Sequence, residues 1–480
     1  MHTFLIAYLG SAFLAVVFTP WVIRLARRIG AVDQPGPRGV HQRPVPRIGG
    51  VAIYLSAVGA ITAILVLDSA MGEASRSVQR YLTALLCSAT LIFLVGLADD
   101  LKDVPARLKL LAELLIAALL CLAGVRISSI ALTDQWVLHL GGWGSLLTIV
   151  WIVGVTNAVN LSDGLDGLAA GICAITCGVI AVFAIRSGEI IMTVFMLALL
   201  GSLCGFLIFN FNPAKIFMGD SGSLFLGFCL GACSVMCVAK SAALVGLALP
   251  ALALGIPIFD TLFSALRRFL EGRSIFAPDR SHFHHRLLDL GLHQRQAVIL
   301  IYGATLLAAG LGLLMLVRKD LGALLIFSCV LFLILLLFRA VGAIRLRQTL
   351  TRLCQKYSHA RQAREERQTF ERLQLGVRAG RTPPQRWQAV CAAAEQLELA
   401  WVSLQVTDAR GNMETSIWRR QSTPAGFARI MTMSFPISNI PGQASAEFEI
   451  AVLVNGSLQS ANHRAGLFAR LAEEAARIDN

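Results

Sequence analysis

Acidic and amide side chains are concentrated in two short stretches of a chain that is otherwise strongly apolar. An adjacent pair of carboxylates follows the apolar run 91–98, at Asp99 and Asp100. A second group recurs at every third position, at Asn157, Asn160, Asp163 and Asp166. Neighbouring carboxylates can share a divalent cation, or one can act as a general base while the other binds the metal. A solvated helix end is the alternative for the pair, whereas turn formation explains one member of the second group but not all four.

Two further stretches carry side chains that suit phosphate or metal binding. Asp220 lies in the run 217–223, which also contains Phe217 and opens an apolar segment. Its carboxylate could cap a helix, or it could hold a metal beside a phosphate at a helix N-terminus. A basic cluster follows later in the chain, at Arg280, His282, His284 and His285. No cysteine lies near this cluster, so binding of a diphosphate or sugar phosphate is favoured over a zinc site.

The elements that must position these residues are membrane helices. The chain has 480 residues, of which 56% are hydrophobic, and a mean hydropathy of +0.68. The formal charge of +13 comes from basic residues beside apolar segments, which favours contact with an anionic leaflet over nucleic-acid binding. Most of the eleven cysteines lie within apolar segments and are interpreted as small packing residues. The composition therefore predicts an all-α polytopic membrane protein.

Segments of about 20 apolar residues are long enough to cross a bilayer. They predict eleven spans, near 3–23, 48–67, 81–98, 108–125, 144–160, 166–185, 189–209, 221–238, 241–263, 297–317 and 321–341. Arginines concentrate after the first span and between the ninth and tenth, so both segments are predicted to face the cytoplasm. Counting crossings from there places every polar stretch described above on the cytoplasmic side. This shared location predicts a single site.

The composition changes after the last predicted span. Residues 342–384 are predicted to form a basic juxtamembrane helix and linker, which would lie on anionic headgroups. Residues 385–480 alternate like a small cytoplasmic α/β domain. Helices are expected near 385–398 and 463–478, with strands near 400–407, 430–437 and 446–454. The order of elements resembles a GAF-like regulatory domain, and a solvated appendage without a ligand is the alternative.

Five motifs, taken in order, resemble a known family of membrane enzymes and cover residues 1–341. The motifs are Asp33-x-Pro35 with Arg38, His41 and the run 44–50; Asp99-Asp100; the run 157–169; the run 217–223; and His282-x-His284-His285. Together they are similar to the polyprenyl-phosphate N-acetylhexosamine-1-phosphate transferases, which are related to phospho-MurNAc-pentapeptide translocase. The predicted topology of eleven spans is also that of the family.

The resemblance implies a reaction in which a UDP-N-acetylhexosamine and undecaprenyl phosphate give undecaprenyl-diphospho-N-acetylhexosamine and UMP. It implies Mg²⁺ as cofactor, with Mn²⁺ as a substitute. Asp220 resembles the metal ligand, with Asp99 or Asp100 as a further ligand, and Asp99 and Asp100 resemble the catalytic pair. The resemblance implies that the remaining residues bind substrate, with Phe217 stacking on uracil: Asn157, Asn160, Asp163, Asp166, Phe217, Arg280, His282, His284 and His285.

The pattern His-x-His-His resembles the branch that uses simple UDP-N-acetylhexosamines, UDP-GlcNAc foremost. The implied product initiates a cell-surface glycan such as lipopolysaccharide O-antigen, on the cytoplasmic side of a bacterial inner membrane. The expected partners are the two substrates, membrane lipid and a second copy of the chain in a homodimer, without nucleic acid.

Two other classes of protein also have many spans and acidic residues. A transporter or flippase would place its charges near the midplane and repeat its halves, whereas these motifs cluster on one face. A non-catalytic lipid-binding protein would account for the C-terminal domain but not for the acidic motifs together. Both stay alternatives to the transferase.

Overall fold

The computed structural model divides the chain into two compact units, Met1–Thr349 and Leu350–Asn480. The structure describes residues 2–34, 44–67, 69–76, 78–131, 137–238, 244–271, 274, 282–316, 321–341, 367–408, 411–421, 430–437, 443–454 and 458–477. Arg38, His41 and Arg280 of the predicted motifs lie outside these residues. So does most of the predicted basic helix within 342–384.

The first unit is built almost entirely of helices. Its described helices are α1 (His2–Ile29), α2 (Gly50–Leu67), α3 (Ser69–Arg76), α4 (Gln79–Lys102), α5 (Ala106–Leu122), α6 (Trp143–Ser162), α7 (Leu168–Arg186), α8 (Ile190–Asn210), α9 (Gly219–Val238), α10 (Leu244–Ala253), α11 (Gly255–Leu270), α12 (Phe283–Asp289), α13 (Gln294–Leu313) and α14 (Leu321–Ala340). Short antiparallel pairs join β1 (Val32–Asp33) to β2 (Val45–Pro46), and β3 (Ser129–Ala131) to β4 (Val137–His139).

Eight of the described helices are long and apolar enough to cross a membrane, and 325–340 forms a shorter apolar helix. This agrees with the prediction of a multi-pass membrane protein, although the count of eleven stays a prediction. The predicted span 241–263 is wrong as one helix, because the described chain has two helices that meet at Leu254. Pro257 lacks the amide that would bond the Ala253 carbonyl, which explains the interruption. The predicted span 108–125 corresponds to a helix of 17 residues, α5.

Helix α9 lies at the centre of this unit, packed against α2, α4 and α6. Glycines allow this close packing. A Cβ at Gly50 would lie 2.1 Å from the amide nitrogen of Gly222, and one at Gly96 would lie 2.4 Å from the Asp220 carbonyl. Small residues let membrane helices approach closely, so they fix the first turn of α9 against its neighbours. This turn carries Asp220.

The second unit contains one antiparallel sheet and three helices among its described residues. They are α15 (367–379), α16 (Pro383–Gln396), β5 (Leu399–Asp408), β6 (Met413–Arg419), β7 (Ile430–Ile437), β8 (Gln443–Leu453) and α17 (Leu458–Arg477), with strand order β6-β5-β8-β7. The sequence predicts three strands, and β6 is the one that it misses. Most residues of β6 are exposed and it forms an edge of the sheet, so its hydrophobic alternation is weak.

Candidate active site

A cleft of about 410 Å³ forms where α4, α9 and the turn between α6 and α7 meet. This volume lies in the range of small-molecule sites. Among the residues proposed from sequence, the cleft is lined by Asp99, Asp100, Asp163, Asp166, Phe217, Asp220 and His285. The other lining residues are Asp33, Arg47, Asp103, Gly164, Leu165, Asn210, Gly219 and Gln294. The prediction that distant acidic motifs converge is therefore met in the structure.

Asp100 holds the beginning of α9 in place. Its two carboxylate oxygens accept hydrogen bonds from the backbone amides of Asp220, at 2.8 Å, and Ser221, at 3.0 Å. The first amides of a helix have no partner within the helix, and a carboxylate there is also favoured by the helix dipole. Asp100 is 5% exposed. Asp100 therefore holds the end of α4 against the beginning of α9. Asp220 lies beside it and lines the cleft.

Gly219, immediately before Asp220, satisfies two separate requirements. Its φ of +72° lies in the left-handed region, and a Cβ would lie 2.0 Å from the Arg47 carbonyl oxygen. A Gly219→Ala variant should therefore lose about 2 kcal/mol or more of stability, together with most of its activity. Thermal unfolding in detergent would measure the loss of stability, and product formation would measure the loss of activity. Gly188→Ala is the matched control, since Gly188 has a φ of +73° and nothing within 4 Å of the added carbon. Equal behaviour of the two variants would contradict this explanation.

Lys109, on the first turns of α5, contacts two carboxylates of the cleft, Asp99 and Asp220. Its Nζ donates to Asp99 Oδ2 at 2.9 Å and to Asp220 Oδ2 at 2.7 Å. The other oxygen of Asp99 accepts from the Val104 amide at 2.6 Å. All three charged side chains are partly withdrawn from water, which strengthens these contacts. Asp99 and Asp220 thus lie on either side of one cationic group.

The sequence does not single out Lys109. Lys102, which is closer to the acidic pair along the chain, is the lysine that it suggests for neutralising phosphate charge. In the structure Lys102 is exposed on the last turn of α4. A helical lysine near a loop is usually solvated, so composition carries no signal for Lys109. The amphipathic start of α5, which follows the acidic loop, is the one indication available.

The four residues at every third position do not share one helix face. Helix α6 ends at Ser162, so Asp163 and Asp166 lie in the following turn and line the cleft. Asn157 instead donates to the buried Glu113 and to the Val153 carbonyl. The four side chains therefore point to different places, because the helix ends within the run.

Asn160 and Asp166 hold neighbouring elements. The Asn160 amide donates to Ser223 Oγ at 3.2 Å, which connects α6 to α9. Asp166 Oδ2 accepts from the side chain of Asn212 at 2.9 Å and from the Ala214 amide at 3.0 Å. These bonds fix the loop that leads to Phe217.

The pKa of Asp163 reflects its burial and the negative charge of the cleft. Burial, and then the negative charges of Asp220, Asp100 and Asp166, raise the pKa of its carboxyl to about 8. The cleft therefore disfavours further negative charge. A phosphate-bearing substrate needs cations to enter it.

Phe217 is fixed by its backbone. Its amide donates to the Pro46 carbonyl at 2.8 Å, and its carbonyl accepts from the Gly49 amide at 2.9 Å. A Cβ at Gly49 would lie 2.4 Å from that same carbonyl. The glycines of the first motif therefore have a physical reason, since Gly49 packs against the Phe217 carbonyl and Gly50 against the backbone of Ser221 and Gly222.

The histidines form a stacked group behind the cleft. His282 Nδ1 lies 3.0 Å from Asp260 Oδ2, and the Phe283 amide donates to Asp260 Oδ1 at 2.8 Å. His284 is buried against Gly164 and stacks on His282 with ring centroids 5.7 Å apart. Burial, followed by the charges of its histidine neighbours, lowers the pKa of His284 to about 3, so this imidazole is neutral at ordinary pH. His285 reaches the cleft, whereas His282 and His284 support it.

The acidic centre suits a hard divalent cation. Within the described residues, no three His, Cys, Asp or Glu side chains form a ready metal-binding cluster. Asp99 and Asp220 nevertheless place carboxylate oxygens within hydrogen-bonding distance of one cationic atom, Lys109 Nζ. An oxygen-only set of one or two carboxylates, completed by water and substrate phosphate, is typical of Mg²⁺ rather than Zn²⁺. The residues present therefore fit Mg²⁺.

Comparison with known proteins places this cleft in a family. A model described as glycosyl transferase family 4 matches residues 82–238, which include both Asp99 and Asp220. A probable undecaprenyl-phosphate N-acetylglucosaminyl 1-phosphate transferase of Bacillus subtilis is 41% identical over 305 residues, covering 63% of this chain and 82% of the relative. The chain belongs to this family of polyprenyl-phosphate N-acetylglucosamine-1-phosphate transferases. The resemblance seen in the sequence motifs is confirmed.

Two further relatives are less similar to this chain than the Bacillus subtilis protein. A decaprenyl-phosphate N-acetylglucosaminephosphotransferase of Mycolicibacterium smegmatis is 36% identical over 324 residues, covering 61% of this chain and 77% of the relative. An undecaprenyl-phosphate alpha-N-acetylglucosaminyl 1-phosphate transferase of Escherichia coli is 27% identical over 297 residues, with coverage of 61% and 78%. The names of these relatives share N-acetylglucosamine and differ in the prenyl carrier, which is undecaprenyl or decaprenyl phosphate.

Proposed function

We propose that this protein transfers N-acetylglucosamine 1-phosphate from UDP-GlcNAc to undecaprenyl phosphate and releases UMP. The observation that carries the proposal is the Asp99–Lys109–Asp220 arrangement, in a cleft of a chain that belongs to the transferase family. A cleft that joins two carboxylates to one ammonium group can neutralise phosphates while it keeps a divalent cation in place.

In this reaction an oxygen of the lipid phosphate attacks the β-phosphorus of UDP-GlcNAc. The bond between that phosphorus and the oxygen bridging to the α-phosphorus breaks, and UMP leaves with the electron pair. The acceptor oxygen is already anionic, so the main obstacle is repulsion between two phosphate groups. Positioning and charge neutralisation then account for most of the catalysis.

The cleft residues have different roles in this reaction. Asp220 and Asp99 would hold Mg²⁺, which when bound neutralises the diphosphate of the donor. Lys109 donates to the same two carboxylates in this structure, and it can donate to a phosphate oxygen when the metal neutralises them. Phe217 offers an aromatic face for the uracil, and His285 lines the wall that would contact the sugar phosphate.

Asp99 is the better candidate of the acidic pair for contact with the lipid phosphate. Both oxygens of Asp100 accept from the backbone amides that begin α9, whereas only one oxygen of Asp99 accepts from a backbone amide and the other faces Lys109 at the cleft. Asp100 is accordingly a positioning residue, and Asp99 orients the acceptor or accepts its proton. Sequence alone left this choice open.

The experiment is UMP release by the purified full-length protein in lipid nanodiscs. UDP-GlcNAc, UDP-GalNAc and UDP-MurNAc-pentapeptide would each be supplied with undecaprenyl phosphate and Mg²⁺. UMP that requires both UDP-GlcNAc and the lipid supports the proposed reaction. UMP release from UDP-GalNAc alone would identify UDP-GalNAc as the donor in place of UDP-GlcNAc. UMP release without undecaprenyl phosphate would contradict a transfer to the lipid carrier.

The finer expectations extend this proposal. The cleft and the C-terminal unit face the cytoplasm of a bacterial inner membrane, across which the first unit passes eleven times. The product starts a cell-surface glycan such as O-antigen, and the enzyme acts as a homodimer. The second unit is a GAF-like regulatory domain, in support of which its described strands form one antiparallel sheet beside three helices. Labelling of single exposed cysteines from each side of the membrane would test the orientation.

A further inference from the structure

We infer that Arg47 binds a substrate phosphate and that Asp103 holds its guanidinium group until that phosphate arrives. The inference rests on the proposed function and adds a phosphate-binding residue to the cleft. Neither residue has a role in the mechanism derived above, although Arg47 lies within the first sequence motif.

The charge of the cleft is the first observation. Seven of its fifteen lining residues are aspartates: Asp33, Asp99, Asp100, Asp103, Asp163, Asp166 and Asp220. Arg47 is the one lysine or arginine among the described residues that line it. Both substrates are phosphate esters, and Lys109 is already engaged by two carboxylates. A second permanent cation at the cleft wall is therefore well placed to receive a phosphate oxygen.

The backbone of Arg47 is fixed beside the reaction centre. Its amide donates to the Ala31 carbonyl at 3.1 Å, and its carbonyl oxygen is the atom that lies against Gly219. Gly219 immediately precedes Asp220. The guanidinium group extends from this position to Asp103, which caps the end of α4 three residues after Asp100. Arg47 thus connects the beginning of α9 to the end of α4, the two helices that carry the acidic residues.

The contact between Arg47 and Asp103 is weak. Nη2 lies 3.4 Å from Oδ1, and the Asp103 side chain is 86% exposed. Surface ion pairs of this kind contribute little to stability, so a phosphate can displace this carboxylate at small cost. The Nε of Arg47 is buried and has no hydrogen-bond partner among the described atoms. Buried donors are normally satisfied, and a phosphate oxygen in the cleft would supply an acceptor for this Nε.

Asp103 also adopts a backbone conformation suited to a fixed capping position. Its φ of +49° is in the left-handed region, and its amide donates to the Asp99 carbonyl at 2.9 Å. The side chain is therefore presented from a rigid helix end rather than from a free loop. A carboxylate held in this way keeps Arg47 at the cleft wall and away from Asp99 and Asp220.

The test compares Arg47→Gln with Arg107→Gln in the full-length protein in nanodiscs. Arg107 is exposed on α5 at the same end of the helices and does not line the cleft. KM is measured separately for undecaprenyl phosphate and UDP-GlcNAc, and UDP-GlcNAc binding is followed by thermal shift. We expect Arg47→Gln to raise one KM by about 10- to 100-fold, since charge-assisted hydrogen bonds are lost. Arg47→Lys should recover only part of this, because lysine cannot form the bidentate contact.

The outcomes distinguish the source of the phosphate. A raised KM for the lipid alone assigns Arg47 to the acceptor, and a raised KM for UDP-GlcNAc with weaker binding assigns it to the donor. Asp103→Asn should lower the KM that Arg47→Gln raises, because it removes the competitor for the guanidinium. Values for Arg47→Gln equal to those of Arg107→Gln, or a rise in KM for Asp103→Asn, would overturn the inference.

Failure of the proposed function gives a different pattern. A folded wild-type protein that releases no UMP with any donor would contradict the transferase reaction itself. Binding of inorganic pyrophosphate, again followed by thermal shift, does not depend on turnover. Loss of that binding in Arg47→Gln but not in Arg107→Gln would still support phosphate binding by Arg47, and equal binding would overturn it.

Discussion

Replacing Asp220 by Asn should reduce UMP release by about 10³-fold or more at saturating Mg²⁺, which corresponds to about 4 kcal/mol of transition-state stabilisation. The substitution preserves the size of the side chain but removes one of the two negative charges that face the same cationic position. Chelation of Mg²⁺ by EDTA should give a comparable loss in the wild-type protein, and added Mg²⁺ should restore it. In the Asp220→Asn variant, added Mg²⁺ should recover little.

Metal binding can be measured apart from turnover. Mn²⁺ titration followed by electron paramagnetic resonance should show weaker binding in Asp220→Asn than in the wild type. Asp289→Asn is a suitable control, because Asp289 is exposed at the end of α12 and does not line the cleft. If Asp220→Asn kept its Mn²⁺ affinity and its activity, the Asp220 carboxylate would not be a metal ligand.

Lys109→Met should lower kcat/KM by about 10²- to 10³-fold. The methionine keeps the aliphatic part of the side chain but leaves Asp99 and Asp220 without the ammonium group that they share. The same substitution should lower the melting temperature in metal-free buffer more than in Mg²⁺, since the metal can neutralise the two carboxylates in place of the lysine. Kinetics and thermal unfolding, each with and without Mg²⁺, measure both effects.

Lys102→Met provides the matched comparison for this prediction. Lys102 is exposed on the last turn of α4, and its replacement should change activity by less than about threefold. A larger loss of activity in Lys102→Met than in Lys109→Met would indicate that Lys102, the lysine nearer to the acidic pair in sequence, neutralises the phosphate charge. A melting temperature of Lys109→Met that is independent of Mg²⁺ would argue against a shared position for the two cations.

The convergence of the acidic motifs could be predicted from sequence, because topology decides it. Asp99, Asp163 and Asp220 are far apart along the chain but follow or precede apolar segments in ways that bring them to one side of the membrane. Counting crossings then places them together without knowledge of packing. The structure adds which helices are neighbours, and α4 and α9 prove to be the pair that matters.

Roles within the site could not be predicted, since side chains of the same type serve different purposes. Asn157 turns toward a buried glutamate, and His282 pairs with Asp260, although both lie in motifs that also contribute residues to the cleft. The regular three-residue spacing of Asn157 with the later members of its motif does not reveal this difference. Only the end of α6 at Ser162 and the packing of α12 decide which members reach the cleft.

Local interruptions of regular structure were also beyond the hydropathy pattern. The hydrophobic run 241–263 is long enough to span, and nothing in its hydropathy marks the junction at Leu254. The edge strand β6 has too few apolar residues to show a period of two. In each case a backbone hydrogen-bond pattern, rather than hydrophobicity, determines the element.

The bond between Asp100 and the first amides of α9 has a mechanical consequence. Asp99 and Asp100 are neighbours on one helix, so the same two bonds that locate Asp220 also set its distance from Asp99. Sliding of α4 along α9 by one residue would move the two helices by about 1.5 Å and break both bonds. Changes in bilayer thickness should accordingly tilt α4 and α9 together as one rigid pair, and catalytic rates should vary little between thin and thick lipids.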